Sequence, residues 1–369
     1  MKALVVFGTR PEAIKLIPIA KSLKNSRICL TGQHKEMLYQ VMDIFKIKAN
    51  YDLKVMKKDQ SLFELTSKIL VKFKKVLEKE KPDVVVVQGD TTTTLAAALG
   101  AFYRKIPVAY VEAGLRSFDK YAPYPEEINR KLVTSLADIY FSPTKEAADN
   151  LRKEGIKADK IFVTGNTSID ALLLMIKKIK KEQRSFERYF KHEFGISFSR
   201  KTILVTGHRR ENFGKGFRNI CSALKEIALT EDVSIIYPVH LNPNVQVPVR
   251  KTLSNTKNVF LIPPMDYDKF CFLMLRANFI ISDSGGVQEE APSLGKPVLV
   301  TRDVTERKEG ISAGNAVLVG TDTKKIISMS KKLLHSRKTY QKMSKAGNPY
   351  GDGRSAERVA KIIQKTFGK

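Results

Sequence analysis

An α/β fold built as two doubly wound halves is what the sequence predicts, on three observations. Short apolar runs rich in Val and Ile alternate along the chain with segments of helical periodicity, the pattern of parallel sheets covered by helices. The alternation breaks at a charged stretch and then restarts, which makes two halves of one. Nearly every unusual polar cluster falls just past the end of an apolar run, and in open α/β sheets that edge is where ligands bind. A length of 369 residues suits two domains, and a hydrophobic content of 43% is enough for two cores.

In chain order, Leu4 to Phe7 reads as a buried strand turning through Gly8-Thr9-Arg10-Pro11-Glu12 into a helix. Ala13, Leu16, Ile17, Ala20 and Leu23 give that helix one core face, and Thr9 with Glu12 fits a capping box. A strand at Ile28 to Thr31 precedes a helix through Met37 and Val41, and Leu62, Leu65, Ile69 and Val76 mark the next helix. Asp83 to Val87 is a central parallel strand that delivers Gln88-Gly89-Asp90 and four threonines, which suit a polar helix start; Asp90 is a candidate N-cap there. The strand Pro107 to Val111 leads to Glu112, and a proline-stiffened loop is expected over 121–130. Strands at 139–141 and 161–163 close the first half, and Gly165-Asn166 opens a helix leading out of it. The stretch 176–201, dense in charge and poor in periodicity, reads as a connection between domains. Strands then recur at 202–205, 234–237, 259–262, 279–281 and 298–300, with helices after Asp322 and over 355–367.

The formal net charge of +27 is compatible with a nucleic-acid surface or with attraction of a small polyanion. The second is favoured, because the lysines spread through helical segments (Lys72, Lys74, Lys75, Lys79; Lys324, Lys325, Lys331, Lys332) as solvated faces do, and no nucleic-acid-binding signature accompanies them. No run approaches a membrane span and no signal-like region follows Met1, so a cytoplasmic protein is expected. Cys29, Cys221 and Cys271 have no metal or disulfide spacing and read as reduced, half-buried fillers.

The chemistry collects at strand ends. Ser284-Gly285-Gly286 joins an apolar run to a helical segment, a turn that lets a phosphate approach backbone amides, or simply a tight strand-to-helix turn. Glu289 and Glu290 sit one turn further, where acidic residues can accept ribose hydroxyls. Arg10 and Lys15 are cations near a helix N-terminus, against the macrodipole, which points to an anionic ligand. With His208, Arg209, Arg210 and Arg307 they describe a diphosphate site, while Asp90, Glu112 and Glu126 describe proton transfer in one shared cleft. Pairing of Glu112 with Arg116 or Arg130, and a satisfied loop role for His208, are the structural alternatives.

The motif set Gly8 to Lys15, Gly89 to Thr94, Val111 to Arg116, Pro125-Glu126-Glu127, Thr206 to Glu211, Asp283 to Glu290 and Thr305-Glu306-Arg307 resembles that of the non-hydrolysing UDP-N-acetylglucosamine 2-epimerases, in order from Gly8 to about Gly353. The resemblance implies a GT-B fold: Rossmann-like domains at 1–170 and 171–352 facing a central cleft, with the C-terminal helix 353–369 packing back on the first. It implies reversible conversion of UDP-N-acetylglucosamine to UDP-N-acetylmannosamine without cofactor or metal, by anti elimination of UDP to 2-acetamidoglucal and syn re-addition. By the same carry-over Asp90, Glu112, Glu126 and His208 are catalytic, and Arg10, Lys15, Phe270, Ser284, Gly285, Gly286, Glu290 and Arg307 bind substrate, as do Asp90, Glu112 and His208. A homodimer, a role in supplying N-acetylmannosamine-type sugars for polysaccharide or glycan synthesis, and a second activating site near Gln33, His34, Glu36 and His240 are implied likewise. Gln88 and Tyr110 depart from the histidines common in bacterial members, and the connection at 183–199 matches no family pattern. The rival readings are a GT-B glycosyltransferase, which would need an acceptor, a hydrolysing epimerase, which would release free sugar, and a nucleic-acid-binding protein.

Overall fold

A computed structural model of the chain describes residues 1–33, 36–57 and 60–368, the side chain of Glu36 excepted. By compactness it divides into a unit of residues 1–173 with 350–369 and a unit of residues 174–349. The first holds a seven-stranded, all-parallel sheet: β1 (Ala3–Phe7), β2 (Ser26–Leu30), β3 (Tyr51–Asp52), β4 (Val84–Gln88), β5 (Val108–Val111), β6 (Ile139–Ser142) and β7 (Ile161–Val163), in the order β3-β2-β1-β4-β5-β6-β7. The second holds a six-stranded parallel sheet: β8 (Lys201–Thr206), β9 (Val233–Pro238), β10 (Val259–Ile262), β11 (Phe279–Ser282), β12 (Val298–Val300) and β13 (Ala316–Leu318), ordered β10-β9-β8-β11-β12-β13.

The Val84 to Val87 run is buried throughout because β4 is central and covered on both faces. Strand order reverses between β1 and β4 in one sheet and between β8 and β11 in the other. Such switch points open a crevice at the carboxyl ends of the strands. Arg10 and Asp90 follow β1 and β4; His208 and Ser284 follow β8 and β11. The α/β class and the parallel character of both sheets are therefore those read from the sequence.

Local structure departs from the sequence reading in several places. The stretch read as a connection contains the helix Gln183–Phe194, anchored in the second unit by Phe186 and Phe190, which stack on Phe272 at ring-centroid distances of 5.2 and 5.4 Å. Its periodicity is aromatic and is hidden among charges. The expected loop over 121–130 becomes helix Glu126–Leu136 from Glu126 onward, with Glu126 and Glu127 in a first turn that the macrodipole favours for carboxylates. Asp90 is not the cap of the following helix; Thr91 is, its hydroxyl accepting the Thr94 N–H at 3.2 Å. The strand β13, only Ala316–Leu318, lacked a readable signal. All three cysteines are free and fully buried, not half-buried. Among the described residues no helix is long and apolar enough to cross a membrane.

Candidate active site

In the first unit the capping box closes as the sequence predicts, then extends. Glu12, 2% exposed, accepts the Gly8 and Thr9 N–H groups at 2.9 and 2.8 Å on Oε2 and the Thr91 and Thr94 hydroxyls at 2.6 and 3.0 Å on Oε1. One carboxylate thus ties the turn after β1 to the helix after β4. Gly8 is dictated by space: a Cβ there would lie 2.0 Å from Thr31 Oγ1 and 2.4 Å from Thr93 Oγ1. Arg10, half-buried, makes no ion pair with a described residue.

The strand β5 is followed by Glu112, whose backbone adopts φ 62°, a left-handed conformation uncommon outside glycine. Two residues on, Gly114 (φ 92°) crosses the Ala147 carbonyl so closely that a Cβ would meet it at 2.0 Å. The Glu112 side chain is held from two sides: Lys15 Nζ lies 2.5 Å from Oε1, and Gln88 Nε2 donates to Oε2. The structural alternative for Glu112, a pairing with Arg116 or Arg130, is therefore not the one the fold adopts. Arg116 is engaged instead by Glu154, through Nε and Nη2 at 2.7 Å each, and Arg130 binds Asp90 Oδ2 at 3.0 and 2.6 Å and Glu127 at 3.1 Å. The anion facing Lys15 is accordingly Glu112, a pairing across 97 residues that no local motif announces. Glu126 differs from the other two carboxylates, since its Oε2 is buried with no hydrogen-bond partner.

In the second unit, Asp283 at the end of β11 is completely buried and receives the backbone N–H groups of His208 and Arg209 on Oδ2, each at 2.9 Å. The His208 ring, with 43% of its side chain exposed, places Nδ1 3.4 Å from Asp283 Oδ1 and stacks on His240 at 5.6 Å. His208 is thus half satisfied by its loop and half open. A Cβ on Gly285 would lie 2.9 Å from the guanidinium of Arg307, the end of a flexible side chain, while a Cβ on Gly286 would come only within 3.9 Å of Ser284 Oγ. Of the Ser284-Gly285-Gly286 turn, Gly286 is the open end. Arg307 Nε also donates to Glu289 Oε1 at 3.0 Å, which separates the two glutamates: Glu289 is bound to Arg307, and Glu290 is half-buried. Phe270 is half-buried on the helix Tyr267–Arg276.

Two motif acids prove architectural. Arg302 Nε donates to Glu211 at 2.6 Å, and its Nη1 and Nη2 donate to Glu306 at 2.8 and 3.2 Å. Burial acts to raise the Glu306 pKa, but bonds from Arg302 and from the backbone bring it to about 2. A carboxyl depressed in the folded state contributes stability above its unfolded pKa and loses it as pH falls through the folded value. The difference in melting temperature between the wild type and Glu306→Gln should therefore be present at pH 7 and shrink between pH 4 and 2; a difference constant over that range would refute the ion pair. A cavity of about 610 Å³ in this unit, lined by Lys215, Asn219, Leu318 and Lys325 among others, contains none of the candidate residues.

Of the proposed second site, His34 lies outside the described residues. Gln33 Oε1 accepts the Thr93 hydroxyl at 2.9 Å, and His240 is the ring stacked on His208.

A family model described as UDP-N-acetylglucosamine 2-epimerase matches residues 20–364. The chain is 52% identical over 373 residues to the UDP-N-acetylglucosamine 2-epimerase of Campylobacter jejuni, covering 99% of this chain and 97% of that protein. Identity to the Escherichia coli K12 enzyme of the same name is 50% over 370 residues, covering 99% and 98%. The crystal structure of the Neisseria meningitidis UDP-GlcNAc 2-epimerase bound to UDP-GlcNAc matches with a TM-score of 0.89 at 48% identity, over 99% of this chain and 100% of that one. The Methanocaldococcus jannaschii enzyme in complex with UDP-GlcNAc and UDP matches at 0.79 and 38% identity, again over 99% and 100%.

Proposed function

The chain belongs to the UDP-N-acetylglucosamine 2-epimerase family, with its pair of Rossmann-like sheets of the GT-B class, and we propose that it interconverts UDP-N-acetylglucosamine and UDP-N-acetylmannosamine. The observation that carries this reading is similarity along the entire chain, at 50–52% identity to enzymes of that name. The residues at the two switch points fit the chemistry that the reaction requires.

The C2 hydrogen of the sugar is not beside a carbonyl, so its direct removal at neutral pH is prohibitively slow. Departure of UDP from C1, with the C1–O bonding electrons, makes C1 cationic and the C2 proton acidic. A carboxylate takes that proton, the C1–C2 double bond of 2-acetamidoglucal forms, and UDP is free. Return of UDP to C1 with protonation of the opposite face of C2 gives the epimer, so the elimination is anti and the addition syn. Asp90, Glu112 and Glu126 are the acid, base and cation-stabilising carboxylates in this reading. Arg10, His208 and the amides of Ser284, Gly285 and Gly286 take the charge of the departing diphosphate, each donor contributing about 2–4 kcal/mol to the transition state. Lys15, Phe270, Glu290 and Arg307 complete the substrate contacts, Glu290 through the ribose. The product suits a supply of N-acetylmannosamine-type sugars for polysaccharide or glycan assembly.

Proton NMR of the enzyme with UDP-N-acetylglucosamine in deuterated water tests the proposal. Deuterium at C2 accompanied by the manno anomeric signal is the expected result. Substrate that stays protonated and unchanged would sink it, and sugar released without its nucleotide would indicate a hydrolysing enzyme.

A further inference from the structure

We propose that Asp283 is the positioning residue of His208, fixing its imidazole with the proton on Nδ1 and leaving Nε2 to serve the substrate diphosphate. The inference rests on the reading of His208 as the group that assists that diphosphate.

Asp283 directly precedes the Ser284-Gly285-Gly286 turn. Its carboxylate is 0% exposed and divides its two oxygens between two tasks. Oδ2 collects the His208 and Arg209 N–H groups at 2.9 Å and the Asn212 side-chain amide at 3.3 Å, and Asn212 in turn donates to the Thr301 carbonyl at 2.9 Å. These bonds hold the loop after β8 against the end of β11. Oδ1 is buried with no hydrogen-bond partner, and His208 Nδ1 stands 3.4 Å from it.

An unsatisfied carboxylate oxygen in a buried site is costly, and the ring tautomer decides whether it stays so. With the proton on Nδ1, the imidazole donates to Oδ1 after a small tightening, as loosely aligned hydrogen bonds of unliganded sites commonly undergo. With the proton on Nε2, a lone pair faces the carboxylate and repels it. The bond made by one ring nitrogen thereby sets the state of the other. Stacking of His240 on the other side of the contact limits rotation of the ring.

The groups facing this pair are Arg209 on the His208 loop, His240 after β9 and the Tyr237 hydroxyl, which is buried and without a partner. Partial burial lowers the His208 pKa; Asp283 opposes that change, and Arg209 and His240 add to it. The balance favours the neutral ring in the free enzyme, and 43% of the side chain is exposed. A bound diphosphate, being anionic, favours uptake of a solvent proton at Nε2, after which Nε2–H donates to a phosphate oxygen while Nδ1–H stays on Asp283.

Long-range ¹⁵N–¹H correlation spectra of the histidine-labelled protein read the tautomer directly, with His208→Gln assigning one of five histidines. The wild type should show His208 protonated on Nδ1. In Asp283→Asn the amide oxygen must keep the backbone N–H groups, so its NH₂ faces Nδ1 and drives the ring to the Nε2–H form. Turnover should then fall on the order of 100-fold, with KM changed by less than about threefold. An Nε2–H ring in the wild type overturns the proposal, and so does an unmoved tautomer in folded Asp283→Asn. Full turnover in His208→Gln would instead remove the catalytic reading of His208, leaving the tautomer assignment to stand or fall on its own spectrum.

Discussion

Glu126→Gln is expected to lower turnover by about 10²- to 10⁴-fold, the range typical of a lost general acid or base, while leaving stability within about 0.5 kcal/mol of the wild type. The second half of that expectation separates Glu126 from Glu112. Glu126 Oε2 has no hydrogen-bond partner, so an amide of the same shape removes no bond there. Glu112 has both oxygens facing donors, the Lys15 ammonium and the Gln88 amide. A glutamine at that position can still meet Gln88, whose amide turns over to offer its unpartnered Oε1, but it removes the negative charge paired with the mostly buried Lys15 ammonium, which costs about 1.5–3 kcal/mol. Glu112→Gln should therefore lose activity and melting temperature together, whereas Glu126→Gln should lose activity alone. Turnover measured beside a thermal melt for both variants decides the matter. If Glu126→Gln retains more than a tenth of wild-type turnover, Glu126 does not carry a proton in the reaction.

The sheet was legible because β1, β4, β8 and β11 are continuous apolar runs, and because the polar residues after them are of unusual types for a turn. Residues on separate strand ends can be suspected of meeting, but their pairing is a matter of side-chain reach. Glu112 chose Lys15 across 97 positions over two arginines nearer in sequence, because Arg116 and Arg130 were already engaged by Glu154, Asp90 and Glu127. Gly285, part of a turn whose amides suit a phosphate, also lies against the Arg307 guanidinium, a proximity that no local motif announces. The helix Gln183–Phe194 carries a signal of its own: Phe186, Phe190 and Phe194 recur at intervals of four, masked by Glu187, Arg188, Lys191 and Glu193 between them. The three residues of β13 are too few for any periodicity to register.

The largest stability effect is expected at Glu12, about 3–5 kcal/mol for Glu12→Ala, within the range for breaking a buried polar network. The cost is concentrated in two groups. The Thr91 and Thr94 hydroxyls that bind Glu12 can turn elsewhere, and Thr94 Oγ1 already lies 2.6 Å from the Gln88 carbonyl. The Gly8 and Thr9 N–H groups cannot turn, and each would be left unpaired in a buried position. Glu12→Gln supplies the control, since its amide oxygen can keep both N–H groups while its NH₂ donates to hydroxyls that are free to accept. Burial raises the Glu12 pKa, outweighing the hydrogen bonds from Thr91, Gly8, Thr9 and Thr94 that favour the ionised form. A carboxyl raised in the folded state contributes its stability below the unfolded pKa and loses it as pH rises through the folded value. The glutamine variant carries no such penalty, so its stability relative to the wild type should improve as pH rises from about 4, the unfolded glutamate range, and level off above the folded pKa. Urea unfolding of the wild type and both variants across that range tests the sign: a glutamine variant that loses ground as pH rises would mean that the ionised carboxylate, not the acid, is the better partner for these donors.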